Sequence, residues 1–275
     1  MIRVSTLGKV IICMLLCLYA FNVFMPFLMM IFNSFKTVRD LFLYPFSFPL
    51  RPETNNFIEA WKRARLANGY KNSLIVSLST LVSVIALTSM FAYAISKHEF
   101  CLRRLLFSYI MLGLALPARL AVVPLFLLLN SLGLTDTLFG LIILFTAINL
   151  PFSIFILKNF MDTIPNELIE AAKIDGGSPF QIYRKIILPL CKPAISIVGI
   201  VTFVNVWNDF FFPLIFINDK SKAPVTLGIS IFFGEYGNEW PLLFAALTLA
   251  MMPSLVLYAF LSRQLIAGMT QGAIK

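Results

Sequence analysis

Apolar residues come along this chain in long unbroken blocks, without the alternation of strands or the narrow stripes of soluble amphipathic helices. Six blocks, at about 10–32, 72–95, 105–128, 138–157, 194–217 and 241–262, are each long enough to cross roughly 30 Å of hydrocarbon as a helix. The first exceeds the usual apolar core of a signal peptide, roughly 7–15 residues. No A-x-A site follows it, so it reads as a span. Pro117, Pro124, Pro213 and Pro253 fall inside blocks, where a proline kinks or breaks a helix and leaves a carbonyl for neighbouring helices or water. The pattern predicts an all-α integral membrane protein of six transmembrane helices, packed as one domain over residues 1–275.

The most organised polar interval is 158–193. Pro165 suits a first helical turn, Glu167 and Glu170 sit near the positive end of that helix dipole, and Gly176 with Gly177 ends the piece. Ser178 is then an N-cap and Pro179 a first helical residue. Phe180, Tyr183, Ile186, Ile187 and Leu190 recur on one face, opposite Gln181, Arg184 and Lys185. Two short helices around a glycine turn are expected at the membrane surface, closed by Pro189 and Pro193. The small Ala171 and Ala172 beside Glu170 permit close docking on another protein. They equally suit an interfacial helix packed on its own bundle.

Composition agrees with the blocks. Hydrophobic residues make up 59% and charged residues 13%, with a mean hydropathy of +0.88, far from a soluble domain. The net charge of +9 is scattered between apolar blocks without a stacking stripe of aromatics, so nucleic acid is not an expected partner. Cys13 and Cys17 are one helical turn apart, and Cys101 and Cys191 lie in different loops, so no disulfide framework is expected. No metal-ligand cluster is visible, and His98, between Lys97 and Glu99, reads as a solvated loop residue.

An even number of spans puts both termini on one side. The loops sharing that side carry roughly a dozen basic residues against about nine opposite, which points to both termini in the cytoplasm. Neither an internal repeat nor a low-complexity tract is visible.

Arg119 and Asp209 fall within spans. A charge at bilayer depth costs several kcal/mol, so it normally faces a partner or a wet cavity. Asn205, Asn208 and Asp209 beside Trp207 offer a polar lining with an aromatic face, and Asn205 and Asp209, four apart, would share one helix face. An interhelical polar clamp, or snorkelling by Arg119, would also satisfy these groups.

Glu170-Ala171-Ala172, three residues, Gly176, nine residues, Ile186, one residue, Leu188-Pro189 resembles the EAA loop of ATP-binding cassette (ABC) importer permeases at its full spacing. Asn72-Ser73-Leu74, Leu132-Gly133-Leu134 with Asp136-Thr137, Ile164-Pro165-x-Glu167-Leu168, Ile174-Asp175-Gly176, Trp207-Asn208-Asp209 and Gln271-Gly272-Ala273-Ile274-Lys275 resemble its maltose-type carbohydrate branch, the smaller permease partner in particular. The resemblance implies a type I importer permease whose cytoplasmic coupling helix, with Glu170, Ala171, Ala172, Asp175 and Gly176, enters a cleft of a separate ATPase dimer. It implies ATP and Mg bound by that dimer, no cofactor on this chain, a second homologous permease, an extracytoplasmic solute-binding protein, a sugar substrate and the bacterial cytoplasmic membrane with its lipid. Two departures stand out: Arg119 where an acid is usual, and Gly177 for the more usual alanine, expected only to loosen the turn.

The chain carries no G-x-x-x-x-G-K-[ST] and no hydrolase signature, so a non-catalytic transport subunit is expected. The alternatives are a similar permease for another polar solute such as glycerol phosphate, or an ion-coupled transporter relying on Asp209. The loop 218–240 sets apolar Ile229 to Phe233 among charges. The resemblance implies that it reaches the binding protein through Phe232, Phe233 and Tyr236; the alternative is a loop folded onto the bundle's outer surface, burying Phe232 and Phe233 locally.

Overall fold

The computed structural model describes residues 6–234 and 239–273, and among these every regular element is helical. In chain order they are α1 (Thr6–Ser34), α2 (Val38–Leu43), α3 (Asn55–Arg63), α4 (Leu66–Lys97), α5 (Arg103–Ala115), α6 (Val122–Ser131), α7 (Leu138–Asp162), α8 (Glu167–Ile174), α9 (Pro179–Ile182), α10 (Leu188–Leu190), α11 (Lys192–Asn208), α12 (Phe211–Phe216), α13 (Val225–Ile229), α14 (Ile231–Gly234) and α15 (Trp240–Ala273). Tyr236 and the end of the C-terminal motif at 274–275 lie outside the described residues.

Three of the expected blocks are single long apolar helices, within α1, α4 and α7. Two others are broken. The block at 105–128 becomes α5 and α6, with a turn of 3-10 helix at Ala118–Ala121 between them and a bend of 89°. Leu116 and Pro117 take extended backbone there, because proline disfavours helix at the residue before it. The block at 194–217 is likewise not one helix: α11 stops at Asn208, Asp209 is extended with ψ 127°, and α12 restarts at Phe211. At its other end α11 meets the Pro179–Leu190 segment at 74°. The sixth block lies within α15. Among the described residues, the spans by length and composition thus number three, or up to five with each bent pair taken as one.

The chain divides into two compact units, Met1–Ala67 with Gly228–Met252, and Asn68–Leu227 with Pro253–Lys275. In the first, the buried Lys36 ammonium donates to Asn33 Oδ1 at 2.8 Å and to the Tyr44 and Pro45 carbonyls at 2.8 and 3.2 Å. Burial pushes its pKa down against the attraction of Asp40, and the three acceptors make its burial tolerable. Arg63 bridges Glu59 at 3.0 Å and Glu239 at 2.7 Å, closing the same unit.

The second unit is built around α7, which packs on α11 and α5. Thr137 caps α7 by accepting from the Gly140 N–H at 3.0 Å. Toward that end Leu141, Leu144 and Phe145 join Phe212 and Phe216 in one core cluster. Toward the other end Leu157 and Met161 join Ile164, Ile169, Ile182, Ile187 and Val198 in a second. That second cluster positions the segment after α7.

Candidate functional site

The segment after α7 folds as a short helix, a left-handed turn and a second helical piece. α8 ends in a Schellman motif: Gly176 has φ +79°, its N–H donates to the Lys173 carbonyl at 3.0 Å, and the Gly177 N–H donates to Ala172 at 2.9 Å. A Cβ on Gly177 would lie 2.7 Å from the Ala172 carbonyl oxygen, so an alanine there would press on backbone. Gly177 therefore tightens this turn, and the expectation that it merely loosens it is corrected. Ser178 and Gln181 form a reciprocal capping box on α9.

The second piece departs from the expected single face. Tyr183–Ile187 is a π turn, whose wider winding shifts the register. Ile182 and Ile187 are buried and Tyr183 and Ile186 packed inward, but Phe180 and Leu190 face out. Tyr183 shares a hydrogen bond of 2.7 Å with Ser89, and its ring lies 5.4 Å from that of Tyr93. Buried aliphatics thus anchor the loop from beneath, leaving Glu170, Ala171, Asp175 and Gly176 exposed and Ala172 partly packed on the cluster. Ala172, Asp175, Gly176, Gly177, Lys185 and Ile186 line an open cavity of about 370 Å³. Ile174, beside it, is 86% exposed. The arrangement is a rigid turn with small residues, an apolar knob and a hollow.

The second set of candidate residues gathers at the break between α11 and α12. Asn205 and Asn208 are exposed and lie three apart on α11. Asp209 does not share their face, as expected from helical spacing, because the helix has ended before it. Its Oδ1 instead accepts from the Phe212 N–H at 2.9 Å, capping α12. Its carbonyl accepts from Thr226 Oγ1 at 2.7 Å, and Ser254 Oγ donates to Asn208 Oδ1 at 3.3 Å. The exposed Arg119 stands 5.4 Å over the Phe211 ring and close enough for its charge to act on the Asp209 carboxylate. Trp207, expected to offer an aromatic face, is buried, stacked on Phe203 at 5.5 Å and 5.8 Å from Tyr70. It belongs to the core. Thr226 and Ser254 were not legible as members, since hydroxyls give no signal until a fold brings them beside an amide or carbonyl.

In the loop expected to project outward, Phe232 is 3% exposed and Phe233 66%. Adjacent residues on the four-residue α14 point about 100° apart, so one ring turns in when the other turns out. Phe232 is thus covered within the chain, and Phe233 is the ring left exposed. Among the described residues, no group of three or more His, Cys, Asp or Glu side chains gathers as metal ligands would.

Comparison with known proteins places this architecture. The chain is 40% identical over 91% of its length and 91% of the relative's to a putative ABC transporter permease of Caldicellulosiruptor sp. (strain Rt8B.4). It is 33% identical to the melibiose/raffinose/stachyose import permease MelC of Bacillus subtilis (strain 168), covering 96% of each chain. The diacetylchitobiose uptake permease NgcG of Streptomyces coelicolor matches at 34% over 95% of this chain and 87% of its own. A crystal structure of a bacterial ABC transporter involved in import of the acidic polysaccharide alginate superposes with TM-score 0.85 at 21% identity, over 95% of this chain and 97% of its counterpart, a likeness of fold. Residues 84–271 match the inner membrane component of binding-protein-dependent transport systems, and the chain belongs to that permease family.

Proposed function

We propose that this chain is the permease subunit of an ABC importer that carries a sugar or oligosaccharide across the bacterial cytoplasmic membrane by alternating access, as one transmembrane domain with both termini in the cytoplasm. The observation that carries the sugar is the near full-length likeness to a permease for melibiose, raffinose and stachyose. ATP, with Mg, is bound and hydrolysed by a separate ATPase dimer. Glu170, Ala171, Ala172, Asp175 and Gly176 dock in its cleft: the turn is rigid, its backbone is approachable and its apolar knob lacks cover within its own chain.

Asn205, Asn208, Asp209 and Arg119 line the solute path together with a second homologous permease. Exposed amides at bilayer depth need polar company, and a hydroxyl-rich solute supplies it. Phe233, with Tyr236, meets the solute-binding protein. A binding protein in complex with the related alginate transporter, at 17% identity, gives a precedent in fold.

Reconstitution of this chain with its second permease, ATPase and binding protein tests the reading. ATP-dependent uptake of an α-galactoside or other oligosaccharide is the expected result. Uptake driven by an ion gradient without the ATPase would overturn it. A cysteine at position 208 should react with a water-soluble reagent in at least one nucleotide state, and reaction with lipid-soluble reagents alone would remove Asn208 from the path.

A further inference from the structure

The junction of α5 with the end of α7 holds basic side chains that the transport reading leaves unused. Ile95, Arg103, Arg104, Phe107 and Lys158 line a cavity of about 290 Å³. A second cavity of about 330 Å³, more polar, shares Arg103 and adds Ser96, Lys97, Glu99, Asp162 and Asn166. The charges there are unequally matched. Lys158 pairs with Asp162 at 2.6 Å and stands 5.0 Å over the Phe107 ring, and Asp162 also accepts from Ser96 at 2.6 Å. Lys97 donates to the Ile164 carbonyl at 2.6 Å and to Asn166 Oδ1 at 3.0 Å. Among the described residues, neither Arg103 nor Arg104 makes an ion pair or side-chain hydrogen bond.

Arg103 thus shares its cavity with an Asp162 carboxylate already held by Lys158 and Ser96, and Arg104 makes no ion pair among the described residues. The helix they begin continues as an apolar surface on their own side: no residue of α5 is buried, and Phe107, Met111 and Leu114 follow Arg103 at helical spacing. Its 13 residues rise about 20 Å. That is enough to track an acyl chain through one leaflet, roughly 15 Å deep.

We infer that this cavity binds an anionic phospholipid, with Arg103 and Arg104 holding the headgroup phosphate, Phe107 and Ile95 forming its apolar floor, and the Phe107–Met111–Leu114 face carrying an acyl chain. Guanidinium forks match phosphate oxygens, and a free phosphate has no use for the adjoining apolar track. The hydrogen bonds from Lys97 to Ile164 and Asn166 put the site at the coupling-loop end of the bundle, so the proposed orientation assigns the lipid to the cytoplasmic leaflet. The bound headgroup braces the base of α7, from which the coupling loop leaves.

The test uses the assembled transporter in detergent, with retained lipid read by native mass spectrometry after exchange into phosphatidylglycerol or phosphatidylcholine of the same chains. R103Q/R104Q should retain roughly 10- to 30-fold less phosphatidylglycerol, the ratio expected from about 1 kcal/mol per arginine at an anionic surface. Phosphatidylcholine retention should not change, and R103K/R104K should keep most of the phosphatidylglycerol. Equal phosphatidylglycerol retention in R103Q/R104Q overturns the proposal. Competition by millimolar inorganic phosphate as effective as that by the lipid would replace the lipid with a soluble anion and overturn it too. In unaltered protein, a photoreactive phosphatidylglycerol should label residues within 95–107 or 158. Labelling only elsewhere, or crosslinking of these residues only to the second permease, would refute the site without any variant. None of these readouts requires uptake, so they can fail while transport of sugar stands, and the reverse.

Discussion

The chain turns through left-handed backbone just before α7 and again just after α8, and the two turns are held in opposite ways. At the first, Asp136 has φ +54°, a conformation that Asp and Asn tolerate better than most residues. Its N–H donates to the Phe216 carbonyl at 2.8 Å, and its Oδ1 accepts from the Asn218 and Asp219 N–H groups at 3.0 and 2.9 Å. Lys222 donates to its carbonyl at 2.9 Å and to Oδ2 at 3.1 Å. Every one of these partners lies some 80 residues away in sequence, on the same chain. At the second turn, around Gly176, the backbone hydrogen bonds stay within six residues, and a Cβ built on Gly176 meets nothing within 4 Å. Ile174 and Phe180 beside it stand largely exposed. The first turn is tied off by its own chain. The second is stiff and open, as the proposed docking on an ATPase requires.

Substitutions can break or sharpen that contrast. Gly176→Pro should have the largest effect, because proline is confined to φ near −65° and the turn needs +79°. Coupled transport should fall to background while the chain still reaches the membrane, measured by uptake and by membrane immunoblot. Normal uptake would mean that the turn's shape is irrelevant. Ile174→Ser comes next: capture of the ATPase should weaken about tenfold or more, as loss of a buried isoleucine at an interface implies, with the melting temperature of the isolated chain unchanged. A lowered melting temperature with unaltered capture would reverse the assignment, making Ile174 a stability residue.

Asp136→Ala should do the opposite. It strips two backbone donors and an ammonium of their acceptor, and should lower the melting temperature by about 2–4 °C, the shift expected for ~1 kcal/mol in a chain of this size. ATPase capture should be preserved. The same carboxylate makes a pH prediction. The Asp219 N–H, then that of Asn218 and the Lys222 ammonium, hold its pKa below the usual carboxylate range against a desolvation that pushes up. A depressed value means that the stabilisation is present above the ordinary carboxylate pKa of about 3.9 and is lost as pH falls through the folded value. The melting temperature should therefore drop on acidification below about pH 4 by more in the unaltered chain than in Asp136→Ala. Identical acid profiles would show that the clamp is not the titrating element. Lys222→Gln should have the smallest effect, a melting temperature barely moved from that of the unaltered chain, since the exposed ion pair is largely screened and an amide can still donate to the Asp136 carbonyl.

Much of the turn after α8 could be read without a structure, because it is made of local chemistry: Gly-Gly to end a helix, Ser178 with Gln181 to start one, and an apolar run to anchor it. Its π turn could not, since nothing local in Tyr183–Ile187 announces the extra width. The break at Asp209 was likewise hidden. Apolar residues on both sides of it continue the block, and the residue that ends one helix and caps the next was counted as part of a helix face.

Sequence alone determined that this chain lives in a bilayer, as long helices, with one polar loop too organised to be a mere connection. Those properties depend on summed hydrophobicity and on residues within a turn of one another. Only the tertiary structure decided that Trp207 is core, that Phe233 and not Phe232 faces outward, that Asp136 ties two distant loops and that Arg103 and Arg104 meet at one cavity. Each of these depends on which side chains meet across the fold. The free energy of a polar or aromatic group at a given sequence position is set by neighbours that packing, not spacing, supplies.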